Sequence, residues 1–225
     1  MSQNIRLQIG EGALLADALS LTGMNFGALE IADFDALNLD QVREEIVRQA
    51  PELSIFCLAI GMEETGRAAD GADWTATLST PLKRCFKVLN AAGRHLVARR
   101  PAGSILAVLP SMALVADPAR GKQSTFLRAL LGLLESLRAE LLAGDVRVTI
   151  VFYDPDRDDG PALAERCKLA IQERPLYRLS PDLSDDVIED YFRPMFEAFD
   201  RTAHGPPLPE IEAMGAVYKE VLQAT

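Results

Sequence analysis

Gly103-Ser-Ile-Leu-Ala-Val-Leu-Pro-Ser111 is an apolar run closed by a proline–serine pair, and its lack of alternation carries the fold assignment. A strand wetted on one face alternates apolar and polar residues. This run does not alternate, so it reads as a strand, Ser104–Leu109, covered on both faces. Two other runs share the character: Leu53–Ile60 upstream and the β-branched-rich Val146–Tyr153 downstream. Between them lie two long helical patterns. One covers about 73–100, with Leu78, Leu82, Phe86, Leu89, Leu96 and Val97 as its apolar stripe, and ends at Pro101 and Gly103. The other is Gln123–Leu142. Strands alternating with helices in this way imply a parallel sheet with helices on both faces.

The rest of the chain extends the pattern. Ile5–Ile9 is a short strand that runs into Gly10-Glu11-Gly12 and a helix over Ala13–Leu19. Ala28–Ala32 reads as a second strand, followed by a helix over Asp35–Ala50. After Tyr153 comes a polar loop with four aspartates, Asp154, Asp156, Asp158 and Asp159, and then a helix near Ala162–Glu173. Two further helical patterns, Ser184–Phe199 and Glu210–Gln223, form a C-terminal extension. The expected organisation is one domain over residues 1–225, with the sheet and its helices in 1–153 and the helical extension in 154–225.

Composition narrows the function. The 225 residues are 48% hydrophobic and 25% charged, which suits one globular domain and excludes disorder as the main state. The 23 basic and 33 acidic residues leave a net charge of −10, so nucleic acid and anionic membrane are not expected partners. The most apolar stretch, from Gly103 to Ala116, falls short of the roughly 20 residues a spanning helix needs. The N-terminus has no signal-peptide pattern, and Cys57, Cys85 and Cys167 are odd in number and widely spaced. A cytoplasmic chain with reduced thiols is expected. With only His95 and His204, a multi-histidine metal site is excluded. The aspartate loop lacks a calcium loop's twelfth-position glutamate and is interrupted by Pro155 and Pro161.

The middle of the chain resembles the short-chain dehydrogenase/reductase family. Ala72-Asp-Trp-Thr-Ala-Thr-Leu78 is similar to the start of that family's long helix. Arg99 to Ser111 is similar to the strand that ends at its catalytic serine. Leu130-Leu-Gly-Leu-Leu-Glu-Ser-Leu-Arg-Ala-Glu-Leu141 and Asp145–Val151 are similar to the catalytic helix and the strand after it. The resemblance implies a Rossmann-like, doubly wound parallel sheet. It also shows what this chain lacks. Gly10 and Gly12 make too short a turn for the family's three spaced glycines, and Glu11 would set a negative charge beside the phosphates. Leu58-Ala59-Ile60-Gly61 stands where the family has Asn-Asn-Ala-Gly, only about 50 residues from the first strand, about 25 fewer than usual. One strand–helix unit of the N-terminal half is therefore expected to be missing.

The family's proton relay uses Asn, Ser, Tyr and Lys. By the resemblance, those positions fall at Pro81, Ser111 (or Pro110), Gln123 and Leu127. Glutamine does not exchange protons in this range, and leucine depresses no neighbour's pKa. A shift of one residue places Ser124 and Arg128 there instead. The expectation is a chain with no catalytic residues and no bound cofactor.

The helix Gln123–Leu142 is apolar around most of its circumference, and burial on two sides would explain that. In the resembling family this helix and the 73–100 helix form the contact between subunits. The expected contact residues are Leu82, Phe86, Leu89, Phe126, Leu127, Leu130, Leu134, Leu137 and Leu141. The expected partner is a catalytically active homologue that carries NAD, in a heterotetramer. Two alternatives stand beside this: an independent enzyme rearranged around Ser111, Tyr153 and the aspartate loop, or a homo-oligomeric regulatory binding protein.

Overall fold

A computed structural model describes residues 3–9, 13–62, 78–99, 103–115 and 118–179. The chain order is β1 (Gln3–Ile9), α1 (Ala13–Leu21), β2 (Phe26–Ala28), α2 (Leu39–Gln49), β3 (Leu53–Ile60), α3 (Thr80–Val97), β4 (Ser104–Pro110), α4 (Gly121–Leu142), β5 (Arg147–Tyr153), α5 (Gly160–Glu173) and β6 (Tyr177–Arg178). Single 3-10 turns at Ser111–Ala113 and Pro118–Arg120 join β4 to α4. The six strands are parallel, in the order β2-β1-β3-β4-β5-β6. The order reverses between β1 and β3, and only one strand, β2, intervenes there in sequence. The expected Rossmann-like architecture, with its N-terminal half reduced, is the one observed.

The apolar runs form strands because neighbouring side chains go to opposite layers. Phe56, Leu58 and Ile60 of β3 join Ile105, Ala107 and Leu109 of β4 and Val148, Ile150 and Phe152 of β5 beneath α2, α3 and α4. Cys57, Ala59, Leu106, Val108, Val151 and Tyr153 point the other way, beneath α1 and α5. Such strands cannot alternate in polarity, because neither face meets water.

Several boundaries differ from expectation. The second strand is Phe26–Ala28, not Ala28–Ala32. It pairs with β1 from Asn4↔Phe26 to Arg6↔Ala28, and the Leu29 N–H closes the pairing on Arg6 O at 2.8 Å. Leu29 then turns into the core. α2 begins at Leu39 instead of Asp35, because Asn38 and Gln41 form a reciprocal capping box at 3.0 and 2.9 Å. Asp35 is engaged elsewhere, accepting Arg84 Nε at 2.8 Å. Lys87, 9% exposed, donates to the carbonyls of Asp35, at 3.3 Å, and of Leu37, which ties the β2–α2 connection to α3. α3 presents Cys85, Val88, Leu89, Ala92 and Leu96 to the core, while Phe86 and Val97 of the expected stripe are exposed. Residues 73–77 and 100, and the two C-terminal helical patterns, lie outside the described residues. β6 has no counterpart in the sequence reading; its two residues pair with Ile150 and Val151.

Gly103 shows how tightly β4 enters the sheet. A Cβ built there would lie 2.3 Å from Ser54 O and 2.4 Å from a Leu96 methyl. Gly103→Ala should therefore destabilise the chain by about 1–3 kcal/mol through overpacking against backbone. The check is a lower urea midpoint at unchanged slope. An unchanged midpoint would contradict this packing.

Candidate functional site

In open α/β sheets ligands bind beyond the carboxyl ends of the strands, at the point where strand order reverses. Here those ends are Ile9, Ile60-Gly61, Pro110-Ser111 and Tyr153-Asp154. Two consecutive carbonyls close the end of β3, and side chains from opposite layers occupy them. The Gly61 N–H bonds across to Ile9 O at 2.7 Å, so the Ile60 carbonyl points the other way, toward β4. The rung after Ala59↔Val108 would bring it the amide N–H of residue 110, and that residue is proline. The Tyr153 hydroxyl supplies the missing donor, reaching Ile60 O at 3.0 Å from the end of β5. From the other layer, Gln123 Nε2 donates to Gly61 O at 3.0 Å. Tyr153 is 2% exposed and Gln123 4%.

The expected relay positions can now be placed. Pro81 lies in the first turn of α3, where a missing N–H costs nothing. Ser111 is half-buried and opens the 3-10 turn after β4, its carbonyl accepting Leu114 N at 2.8 Å. Gln123 is held on Gly61. Leu127 is fully buried in the α4 core face and cannot reach a ribose at the strand ends. Of the shifted pair, Ser124 is buried and Arg128 donates to Leu114 O at 2.9 Å. Gly10, Glu11 and Gly12 lie outside the described residues. The side chains at the tyrosine and lysine positions thus do not fit the proton relay of a nicotinamide enzyme.

Burial sets the acid–base character of the site. It pushes the Tyr153 hydroxyl well above its ordinary value, so it remains a donor and is no general base. Cys85 and Cys167 are both pushed up to about 12 and Cys57 is raised as well, all three by burial, which leaves them inert.

The aspartate loop is committed locally. Asp158 pairs with Arg166 of α5 at 2.5 Å, both side chains at least nine-tenths buried, and accepts the Asp154 N–H at 2.7 Å. Asp159 caps α5 through Ala162 N at 2.8 Å. Among the described residues, no group of three or more His, Cys, Asp or Glu side chains is placed to hold a metal ion. Nor is any helix there long and apolar enough to cross a membrane. His95 bonds through Nε2 to Ala50 O at 3.2 Å and is structural.

Burial within one chain accounts for most of the expected contact residues. Leu89, Phe126, Leu127, Leu130, Leu134, Leu137 and Leu141 belong to the core, while Leu82 is half-buried and Phe86 is 45% exposed. The outward side of α4 is instead a row of small residues: Thr125, Ala129, Gly132, Ser136 and Ala139, all exposed. Sequence reading missed this row because apolarity, not size, was the signal followed. It also missed the burial of Lys122 and Ser124 beside Gln123. Three consecutive polar residues opening an apolar helix were the available clue.

No family model matches the sequence, and no curated protein matches it. Solved structures match the fold. The apo form of LigO from Sphingobium sp. strain SYK-6 superposes with a TM-score of 0.71 at 14% identity, over 100% of this chain and 98% of that one. LigD from the same strain gives 0.68 at 14% identity, over 92% and 99%. A short chain dehydrogenase from Burkholderia cenocepacia J2315, in complex with NADP, gives 0.66 at 16% identity, over 91% and 99%. At these identities the likeness establishes the fold, an α/β sheet of the short-chain dehydrogenase type.

Tyr153→Phe leaves Ile60 O without its donor and should cost about 1–3 kcal/mol at neutral pH, read as a lower urea midpoint. The pH dependence follows from the raised values. Tyr153 and the three thiols are protonated more firmly when folded than their ordinary 10.0 and 9.0. Their contribution is complete below about pH 9 and is lost as pH rises beyond it. Stability should fall above pH 9, and less steeply above pH 10 in Tyr153→Phe. A flat profile to pH 11 would contradict the burial.

Proposed function

We propose that this chain is a non-catalytic, cytoplasmic short-chain dehydrogenase-like subunit. It associates with a catalytically active homologue, and that partner supplies the NAD site and the chemistry. The observation that carries this reading is the strand end itself. Gln123 stands at the tyrosine position and holds Gly61 O, and Leu127 is core where the lysine should project. In such a chain the fold serves as a surface on which a partner assembles. The outward row of α4 supports the same reading. A Cβ at Gly132 would meet nothing within 4 Å, so another helix could approach this face closely. Phe86 and Val97 stand exposed on neighbouring α3. In role the chain resembles the non-catalytic subunit of the heterotetrameric hydroxyacyl-CoA dehydrogenase of anaerobic toluene (benzylsuccinate) breakdown. By that resemblance the partner is an NAD-dependent hydroxyacyl-CoA dehydrogenase.

Calorimetry with NAD(H) and NADP(H) should give no binding to the isolated chain. Co-expression with an intact homologue should give a stoichiometric complex by native mass spectrometry, and the partner should stabilise this chain by mass action. Tight dinucleotide binding, turnover by the chain alone, or a stable monomer that captures no homologue would each overturn the proposal.

Gly132→Leu separates association from folding. The new side chain enters open space on an exposed helix, so the isolated chain should keep its stability or gain up to about 1 kcal/mol. The complex, by contrast, should be lost. Retention of the complex at full affinity would remove this face of α4 as the contact.

A further inference from the structure

Among the described residues, no helix covers the β2 edge of the sheet on the α1–α5 side. α1 packs over the central strands and against α5, whereas α2, which follows β2, crosses to the opposite layer. Gly27 and Ala28 of β2 are exposed, and a cleft of about 340 Å3 opens between this edge and the end of α1. That size is at the lower end of small-molecule sites, which span roughly 300–1,000 Å3.

Arg6 lines the cleft. Its neighbours Ile5 and Leu7 pack into the α2–α4 layer, so Arg6 faces the α1 side. Its guanidinium has no hydrogen-bond or ion-pair partner among the described residues. Met24 and Phe26 contribute apolar wall, Ser20 and Asn25 a polar rim, and Leu19 is buried behind them. The wall is fixed in advance. The Thr22 hydroxyl donates to Leu19 O at 2.6 Å and accepts Met24 N at 3.2 Å, and Gly23, with φ of 74°, closes α1 in the left-handed region. Preorganisation of this kind reduces the entropy lost on binding.

A guanidinium with no hydrogen-bond or ion-pair partner among the described residues, set beside Met24 and Phe26, defines a ligand. The fork of N–H donors matches a carboxylate, and the walls match an apolar body. A cation is repelled by Arg6. A polyanion finds a single positive group in a chain of net charge −10. We propose that the Arg6 cleft is a binding site for a small organic monocarboxylate with an apolar body. It lies on the α1–α5 layer, away from the α3–α4 face, so it stands or falls separately from subunit association.

The test uses three probes with one body and different charge: hexanoate, 1-hexanol and hexylamine, followed by ligand-observed NMR and calorimetry on the full chain. Hexanoate should bind saturably, hexanol at least about tenfold more weakly, and hexylamine not at all. Arg6→Met should lower hexanoate affinity to that of hexanol, and Arg6→Lys should retain part of it. A melting curve verifies that each variant folds, and the wild-type probe series decides the matter if one does not. Absence of saturable hexanoate binding, equal binding of hexanol, or unchanged binding by folded Arg6→Met would overturn the proposal.

Discussion

A parallel sheet has to be covered on both faces, because its backbone rungs tolerate no water-facing gap in the middle. The rest of this structure depends on that constraint. β3, β4 and β5 satisfy it completely: their side chains alternate between the α2–α3–α4 layer and the α1–α5 layer, and nearly all are buried. Among the described residues, β1 and β2 satisfy it only in part, and a single strand, β2, intervenes between β1 and β3 in sequence. Among the described residues the helices divide three to two, and the two-helix layer ends short of the β2 edge. β2 itself is three residues long, a length that limits the exposed edge available for unwanted pairing.

The same economy of elements governs the strand ends. Pro110 deprives Ile60 of its ladder partner, and a tyrosine from two strands away replaces the lost donor. The neighbouring carbonyl takes a glutamine from the first turns of α4. Both side chains sit where a dehydrogenase would need freedom to reach substrate and cofactor, and both are instead held by backbone. A buried amide and a buried phenol with satisfied hydrogen bonds stiffen the sheet. Beyond β5, the buried Asp158–Arg166 pair fixes the loop that leads to α5. Removing one partner of such a pair would leave a buried charge uncompensated.

Much of the architecture was readable from sequence, and β3 shows why. Leu53–Ile60 was expected and observed with the same boundaries, because a run of eight residues in which only Ser54 is polar has only one comfortable place, between two layers. The cores of α3, α4 and β5 were readable for similar reasons. The start of α2 was not, since Asp35 and Asn38 are equally plausible caps and the choice fell to Arg84 and Lys87, some 50 positions away. β6 was not legible either, because two residues carry no period. In the site, the sequence places a glutamine at 123 and a leucine at 127, where the resemblance led one to expect the relay's tyrosine and lysine. What those residues do instead needed the fold.

The α4 helix separates the two kinds of information most clearly. Its sequence determined that it would be long, helical and buried on more than one side. It did not determine which row meets the sheet, because Leu127, Leu130, Leu134, Leu137 and Leu141 are as apolar as any partner-facing row. Only packing against β4, β5 and α3 assigned them to the core and left Thr125, Ala129, Gly132 and Ser136 outward. Local pattern fixes which elements form, since period and polarity are properties of neighbours in sequence. Which face is free, which charge is paired and which cleft stays open depend on groups distant in sequence, and those meet only in the folded chain.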